Sequence, residues 1–114
     1  ALMHPDKEAR DSAARTLGKI AETVPASQLS EDRRAEILEV LFRTLSDAQP
    51  AVRAKAVRSL GKLVRAAYLG PDQEARVRSA VLRILGQDEA HEWDRAFIVR
   101  REAEEALRHI EARL

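Results

Sequence analysis

The chain has 114 residues, enough for one domain, and is 45% hydrophobic but only 4% aromatic, so its core must be built from Leu, Ile, Val and Ala. Its 20 basic and 19 acidic residues leave a formal charge of +1, which selects neither nucleic acid nor a membrane surface as a bulk partner. The absence of cysteine excludes disulfides and thiolate metal sites and fits a reducing, cytoplasmic setting; no apolar run approaches the ~20 residues of a bilayer span, and no signal peptide is visible.

Five amphipathic stretches follow, each with its own punctuation. Helix one is predicted from Pro5 to Val24, with Pro5 in the first turn and Pro25 as the stop. Its apolar line is Ala9, Ala13, Leu17, Ile20 and Val24, at steps of three and four. Helix two is predicted from Glu31 to Leu45, with Ser30 as N-cap and Glu31 and Asp32 at the positive end of the dipole. It turns Ile37, Leu38, Leu41, Phe42 and Leu45 inward. Helix three begins at Pro50, carries Val52, Ala56, Leu60, Leu63 and Ala67, and stops before Gly70-Pro71. Helix four runs from Pro71 to Leu85, with Val77, Ala80, Val81, Ile84 and Leu85 inward and Gly86 closing it. Helix five runs from Asp94 to Arg113 through Phe97, Ile98, Ala103, Ala106, Leu107, Ile110 and Leu114.

The short connections predict antiparallel hairpins over residues 31–68 and 71–113 within a single domain, 1–114. Helix one, residues 5–24, stands alone as half a repeat. A shift of 43 residues lays Arg10, Ala13, Arg15, Leu17, Gly18 and Lys19 on identical residues at Arg53, Ala56, Arg58, Leu60, Gly61 and Lys62. Helix one is therefore the counterpart of helix three, the second helix of a repeat whose first helix is absent. Helix five keeps the pattern at an offset of 47, with Arg100 on Arg53, Ala103 on Ala56, Leu107 on Leu60 and Ile110 on Leu63. A helical period of this size marks an all-α solenoid of about two and a half repeats.

The segment from Leu45 to Leu63 resembles a HEAT repeat, whose second helix follows Leu-x-Asp-x-x-Pro-x-Val-Arg-x-x-Ala-x-x-Ala-Leu-Gly. Here Asp47, Pro50, Val52, Arg53, Ala56, Leu60 and Gly61 carry the likeness. Helix one resembles it with His4 for Asp47 and Lys7 for Pro50; helix five keeps Val99, Arg100 and Ala103 but has Arg108 for the glycine. The resemblance implies the solenoid fold; a solenoid is a surface rather than a pocket, so the expected function is a non-enzymatic interaction scaffold, with no cofactor expected. Some proteins of this kind are DNA glycosylases or bilin lyases, but those are longer, and one Trp and one Tyr leave little for such a pocket.

Gly18 and Gly61 each cost about 1 kcal/mol against Ala in a free helix, so their presence predicts crowded crossings between repeats. Arg10, Arg53 and Arg100 lie one repeat apart and should form a structural ladder. Asp47 is placed to cap helix three and to accept from Arg53.

Second helices of stacked repeats line the inner face. On helix three Lys55, Arg58, Lys62 and Arg65 share one stripe, and no acidic residue falls between Ala48 and Pro71. Arg15 and Lys19 of helix one align with Arg58 and Lys62. These six residues form a candidate basic stripe for an acidic protein partner or, as the runner-up, for nucleic acid. The competing reading is a solvated face neutralised by Asp11, Glu22, Glu102 and Glu105. The loop 87–94 holds Asp88, Glu89, His91, Glu92 and Asp94, a weak divalent-metal candidate with one His and no ligand spacing. Trp93 is a candidate anchor, with packing beside Phe97 the alternative. His4 and His109 are isolated. No phosphate loop or nucleophile motif is present. The uncovered flank of helix one, with Leu17, Ile20 and Val24, predicts cover by an N-terminal part, a second copy or a partner. The isolated chain is accordingly expected to be marginally stable or to self-associate.

Overall fold

A computed structural model describes residues 6–87 and 92–112. Five α-helices appear, α1 (Lys7–Thr23), α2 (Glu31–Thr44), α3 (Pro50–Arg65), α4 (Pro71–Ile84) and α5 (Phe97–Glu111), with a 3-10 turn at Ala26–Gln28 and no strand among the described residues. The all-α solenoid of about two and a half repeats is what the sequence predicts. Leu2, Met3, His4 and Pro5 lie outside the described residues, as do Asp88, Glu89, His91, Arg113 and Leu114.

The helices start where local chemistry demands. Asp6 caps α1 by accepting from the Glu8 N–H at 2.9 Å. Ser30 caps α2 by accepting from the Arg33 N–H at 3.1 Å. Pro50 and Pro71 open α3 and α4, where a missing N–H costs nothing. The C-termini of α3 and α4 use one device. The Tyr68 N–H reaches the Leu63 carbonyl and the Gln87 N–H reaches the Leu82 carbonyl, each around a residue with positive φ. In α4 that residue is Gly86 at 77°, in α3 it is Ala67 at 58°.

Two layers form, within extents of 37 × 37 × 19 Å. The thin axis is about two helix diameters. One layer is α1, α3 and α5; the other is α2 and α4, each folded back on the helix that follows it. The core sits around α3. Its expected inward line, Val52, Ala56, Leu60 and Leu63, is wholly buried, in the same core as Leu38 and Leu41 of α2.

Two expectations fail on helix faces. Phe97 and Ile98 are not inward; they are 65% and 40% exposed, and Val99 takes the core position instead. Ala67 is exposed because it is the αL residue ending α3. Helix α5 also starts at Phe97 and not at Asp94. The cause is Asp94, whose carboxylate accepts from the Ala96 N–H at 2.9 Å and holds the chain extended before the helix.

The layer of α1, α3 and α5 is joined by two close crossings built from small residues. At Gly18 of α1, a Cβ would lie 2.4 Å from the Ser59 Oγ and 2.9 Å from its Cβ. The missing Cβ lets the buried Ser59 hydroxyl reach the α1 backbone, donating to the Ala14 carbonyl at 2.7 Å. One repeat on, Gly61 of α3 meets Ala106 of α5, with 3.3 Å between a notional Cβ and the alanine methyl. Tyr68 adds a tie that composition does not announce: its buried hydroxyl donates to the Val24 carbonyl at the end of α1.

The two glycines are predicted to respond differently to alanine. Gly18→Ala should destabilise by about 2 kcal/mol through overpacking against Ser59. Gly61→Ala, with its looser contact and a gain in helix propensity, should fall within about 0.5 kcal/mol of the parent. Ala67→Gly should stabilise by about 1 kcal/mol by relieving positive φ. Urea denaturation followed by far-UV circular dichroism checks all three.

Candidate interaction surface

Two of the three arginines expected in the ladder make carboxylate pairs, and these run between repeats. Arg10 donates through Nε to the Asp47 carboxylate at 2.7 Å and through a second nitrogen at 3.2 Å. Arg53 does the same to Asp94, at 2.8 and 3.1 Å. Each guanidinium thus grips the carboxylate of the following repeat in a bidentate fork. The expected bond from Arg53 to the Asp47 carboxylate is not formed. Arg53 instead donates to the Asp47 backbone carbonyl at 2.9 Å, while that carboxylate is taken by Arg10 and the Gln49 N–H. Arg100 repeats the backbone contact, donating to the Asp94 carbonyl at 2.8 Å.

Asp94 is one of the loop carboxylates by sequence, and in the fold it is the partner of Arg53. The offset of 47 that aligns helix five also maps Asp94 on Asp47, so the signal was present. It is masked by the longer loop.

Both acids respond to these contacts. The Arg10 hydrogen bond holds the Asp47 carboxyl below its usual range, against burial and with help from the Gln49 N–H. Burial pushes Asp94 up, but Arg53 and the Ala96 N–H together outweigh it and hold that carboxyl low as well. The rungs are partly buried, with 15% and 8% of the Arg10 and Asp47 side chains exposed.

The six residues of the candidate stripe fall on the outer side of the α1, α3 and α5 layer. Arg15, Lys19, Arg58 and Arg65 are exposed; Lys55 and Lys62 are half-buried. The stripe is not uniformly basic. Lys62 pairs with Glu22 of α1 at 3.0 Å, and that ammonium lowers the glutamate's pKa. Arg15 lies 4.0 Å from Asp11. Across α3, a depression of about 220 Å³ sets Arg58 and Arg65 opposite Glu102, Glu105 and His109 of α5. His109 sits 3.6 Å from Glu105, whose carboxyl is lowered first by Arg108. The six cations are brought onto one face, but carboxylates from both neighbouring helices stand among them.

Trp93 lies 56% exposed over Gly86, with the Arg100 guanidinium 4.2 Å from its ring centroid. The same guanidinium is 6.0 Å from the Phe97 ring, so Trp93 and Phe97 share one cation beside the end of α4. Among the described residues no group of three His, Asp or Glu side chains comes together as a metal site; Asp88, Glu89 and His91 lie outside them. No described helix is long and apolar enough to cross a membrane.

A second concavity, about 1190 Å³, opens between α1 and α2. Its floor holds Ala13, Leu17 and Ile20, part of the line expected to face inward. These side chains are half-buried, whereas Ala14, Gly18 and Ala21 face α3 and are buried.

Residues 8–63 match the family model of the HEAT-like repeat. The chain is a HEAT-like repeat protein. No curated protein and no solved structure gives a significant match. The matched span covers α1, α2 and nearly all of α3, which is where the glycine crossing and the first ladder rung lie. The HEAT-like repeat match thus spans the contacts that join the first two second helices.

The ladder carries a pH signature. Asp47 and Asp94 bind fewer protons folded than unfolded, so their stabilisation is complete above the unfolded carboxyl value of about 4 and is lost as pH falls through the lower folded values. Asp94→Asn should cost about 1–3 kcal/mol at neutral pH. It should also lessen the decline in stability below about pH 4. Urea unfolding midpoints between pH 7 and pH 2.5 are the measurement.

Proposed function

We propose that this HEAT-like chain is a non-enzymatic interaction module whose protein partner sits on the face formed by α1, α3 and α5. The observation that carries this reading is the mixed charge of that face. Arg58 and Arg65 stand opposite Glu102 and Glu105, beside the Lys62–Glu22 pair. Such a surface complements a protein that presents both signs of charge, and it would repel a uniform polyanion at every carboxylate. The depression there, about 220 Å³, is smaller than the usual small-molecule site. It offers relief for side chains of a partner and little enclosure for a substrate. The competing reading, polyanion binding through Arg15, Lys19, Lys55, Arg58, Lys62 and Arg65, draws on the exposed cations of α1 and α3.

A nuclease-treated pull-down from source-cell lysate separates the two readings. It compares the parent chain with an Arg58→Glu, Arg65→Glu variant. Lys62 is kept, because it holds Glu22. A protein retained by the parent and lost from the variant is the expected result. Identical retention by both chains would exclude this face. Nucleic acid recovered without nuclease, with binding that falls steeply with salt, would favour the polyanion reading.

A further inference from the structure

The repeat sets the open face of the α1, α3 and α5 layer out in columns. The middle column, on α3, is Lys55, Arg58, Lys62 and Arg65, all cationic. Carboxylates stand beside it. At an offset of 43 Glu22 of α1 is level with Arg65, and at an offset of 47 Glu102 and Glu105 of α5 are level with Lys55 and Arg58.

These charges are not equally engaged. Glu22 is held by Lys62 at 3.0 Å, Asp11 lies 4.0 Å from Arg15, and Glu105 is paired with Arg108. Among the described residues the side chains of Lys19, Lys55, Arg58 and Arg65 make no hydrogen bond or ion pair, and of the four carboxylates only Glu102 makes none. Arg58 and Arg65 act on Glu22 only through space, behind Lys62. The open charge of the face is therefore a cationic row about one helix wide, with acids on both sides.

The spacing of the row selects its complement. Steps of three, four and three residues rise about 4.5, 6 and 4.5 Å along α3. A second helix with carboxylates at the same steps matches every rise, and the steps read the same in both directions. An extended segment places same-face side chains about every 6.7 Å and falls out of step. A duplex is broader than the row and would set phosphates against Glu22, Glu102 and Glu105. A single strand finds no stacking platform, because the row holds no aromatic residue. The repeat pattern does not roof this face either. Helices α2 and α4 both pack on the other side of the layer, so a further repeat at either edge extends the face and leaves it open.

We propose that this row docks an α-helix of a partner protein that carries carboxylates at steps of three, four and three along one face. This rests on the reading of the face as a protein-binding surface and adds the chemistry of the partner. Arg58 and Arg65 are the principal contacts, because both are exposed and open; Lys55 is half-buried, and Lys62 is shared with Glu22. Their planar guanidinia suit bidentate grip of a carboxylate. The depression over Gly61 and Ala106 receives side chains beside the acidic row of the bound helix.

The test titrates the full chain with two synthetic alanine-based peptides of equal length and charge, read by nitrogen-15 NMR with arginine side-chain signals included. In one, four glutamates follow the three-four-three steps; in the other, the same four are scattered around the helix. Circular dichroism matches their helicity. The patterned peptide should move the Arg58 and Arg65 side-chain signals saturably and bind about fivefold more tightly than the scattered one. Arg58→Gln, Arg65→Gln should erase that preference. Arg33→Gln, Arg43→Gln, which removes the same charge from the concavity between α1 and α2, should keep it. Equal binding of the two peptides, or no movement at Arg58 and Arg65, would overturn the proposal. Tighter binding of a thymidine dodecamer at the same salt would overturn it in favour of a polyanion. Self-association abolished by Arg58→Gln, Arg65→Gln would overturn it in favour of a second copy. The pull-down separates the two levels. A protein lost with Arg58→Glu, Arg65→Glu while both peptides bind alike removes the acidic helix and leaves the face; identical retention by both chains removes both.

Discussion

Helix α3 meets water along only a narrow strip, and the rest of the molecule is arranged to make that tolerable. It packs against α1 on one flank, α5 on the other and α2 above. Three packed sides leave no room for long side chains, and the residues buried on α3 are accordingly Val, Ala, Ser, Leu and Gly. The closest approach is set by atoms that are absent. Gly18 admits the Ser59 hydroxyl to the α1 backbone, and Gly61 admits Ala106. Helix propensity is sacrificed at both positions; at Gly18 the tight packing on Ser59 more than compensates, and at Gly61 the looser contact roughly balances it.

Charge performs two separate tasks here. Along the seam between repeats, Arg10–Asp47 and Arg53–Asp94 are partly buried, bidentate and supported by backbone donors and acceptors. These pairs lock the loop before each second helix to the previous repeat. On the open strip, the pairs are looser and more exposed. Lys62–Glu22 bridges two helices, while Arg15–Asp11 is a stretched contact within one. Exposed pairs contribute little to stability, so the strip's residues are available for recognition in a way the ladder's are not.

The array also has a direction. The small-residue crossing that joins α1 to α3 and α3 to α5 cannot recur beyond α5, because Arg108 stands where Gly18 and Gly61 stand. Among the described residues α1 carries no comparable charged stripe. An apolar floor and two small hydroxyl residues remain, and the Arg33, Glu36 and Arg43 side chains line its wall.

Much of this was legible in the chain. Periodicity of three and four, capping residues and two prolines at helix starts placed the helices to within a few residues. The 43-residue shift named α1 as the counterpart of α3 and α5 as a further copy at a longer offset. These features are local or self-similar, and a sequence displays them directly. Helical spacing also puts Lys55, Arg58, Lys62 and Arg65 on one stripe of α3, and the repeat aligns Arg15 and Lys19 with Arg58 and Lys62. What it left open depends on which helix lies beside which. Asp47 lies six residues before the arginine of its own repeat, but its carboxylate bonds the arginine of the repeat before, because packing brings Arg10 across the seam. Phe97 and Ile98 look like core residues and are exposed, because among the described residues no element covers the start of α5. The Glu22, Glu102 and Glu105 carboxylates reach the basic stripe from two other helices. Sequence determined the elements and their repeat, because those follow from chain-local periodicity; tertiary structure alone decided the partners of each charge and the groove left beside α1, because those follow from neighbours in space.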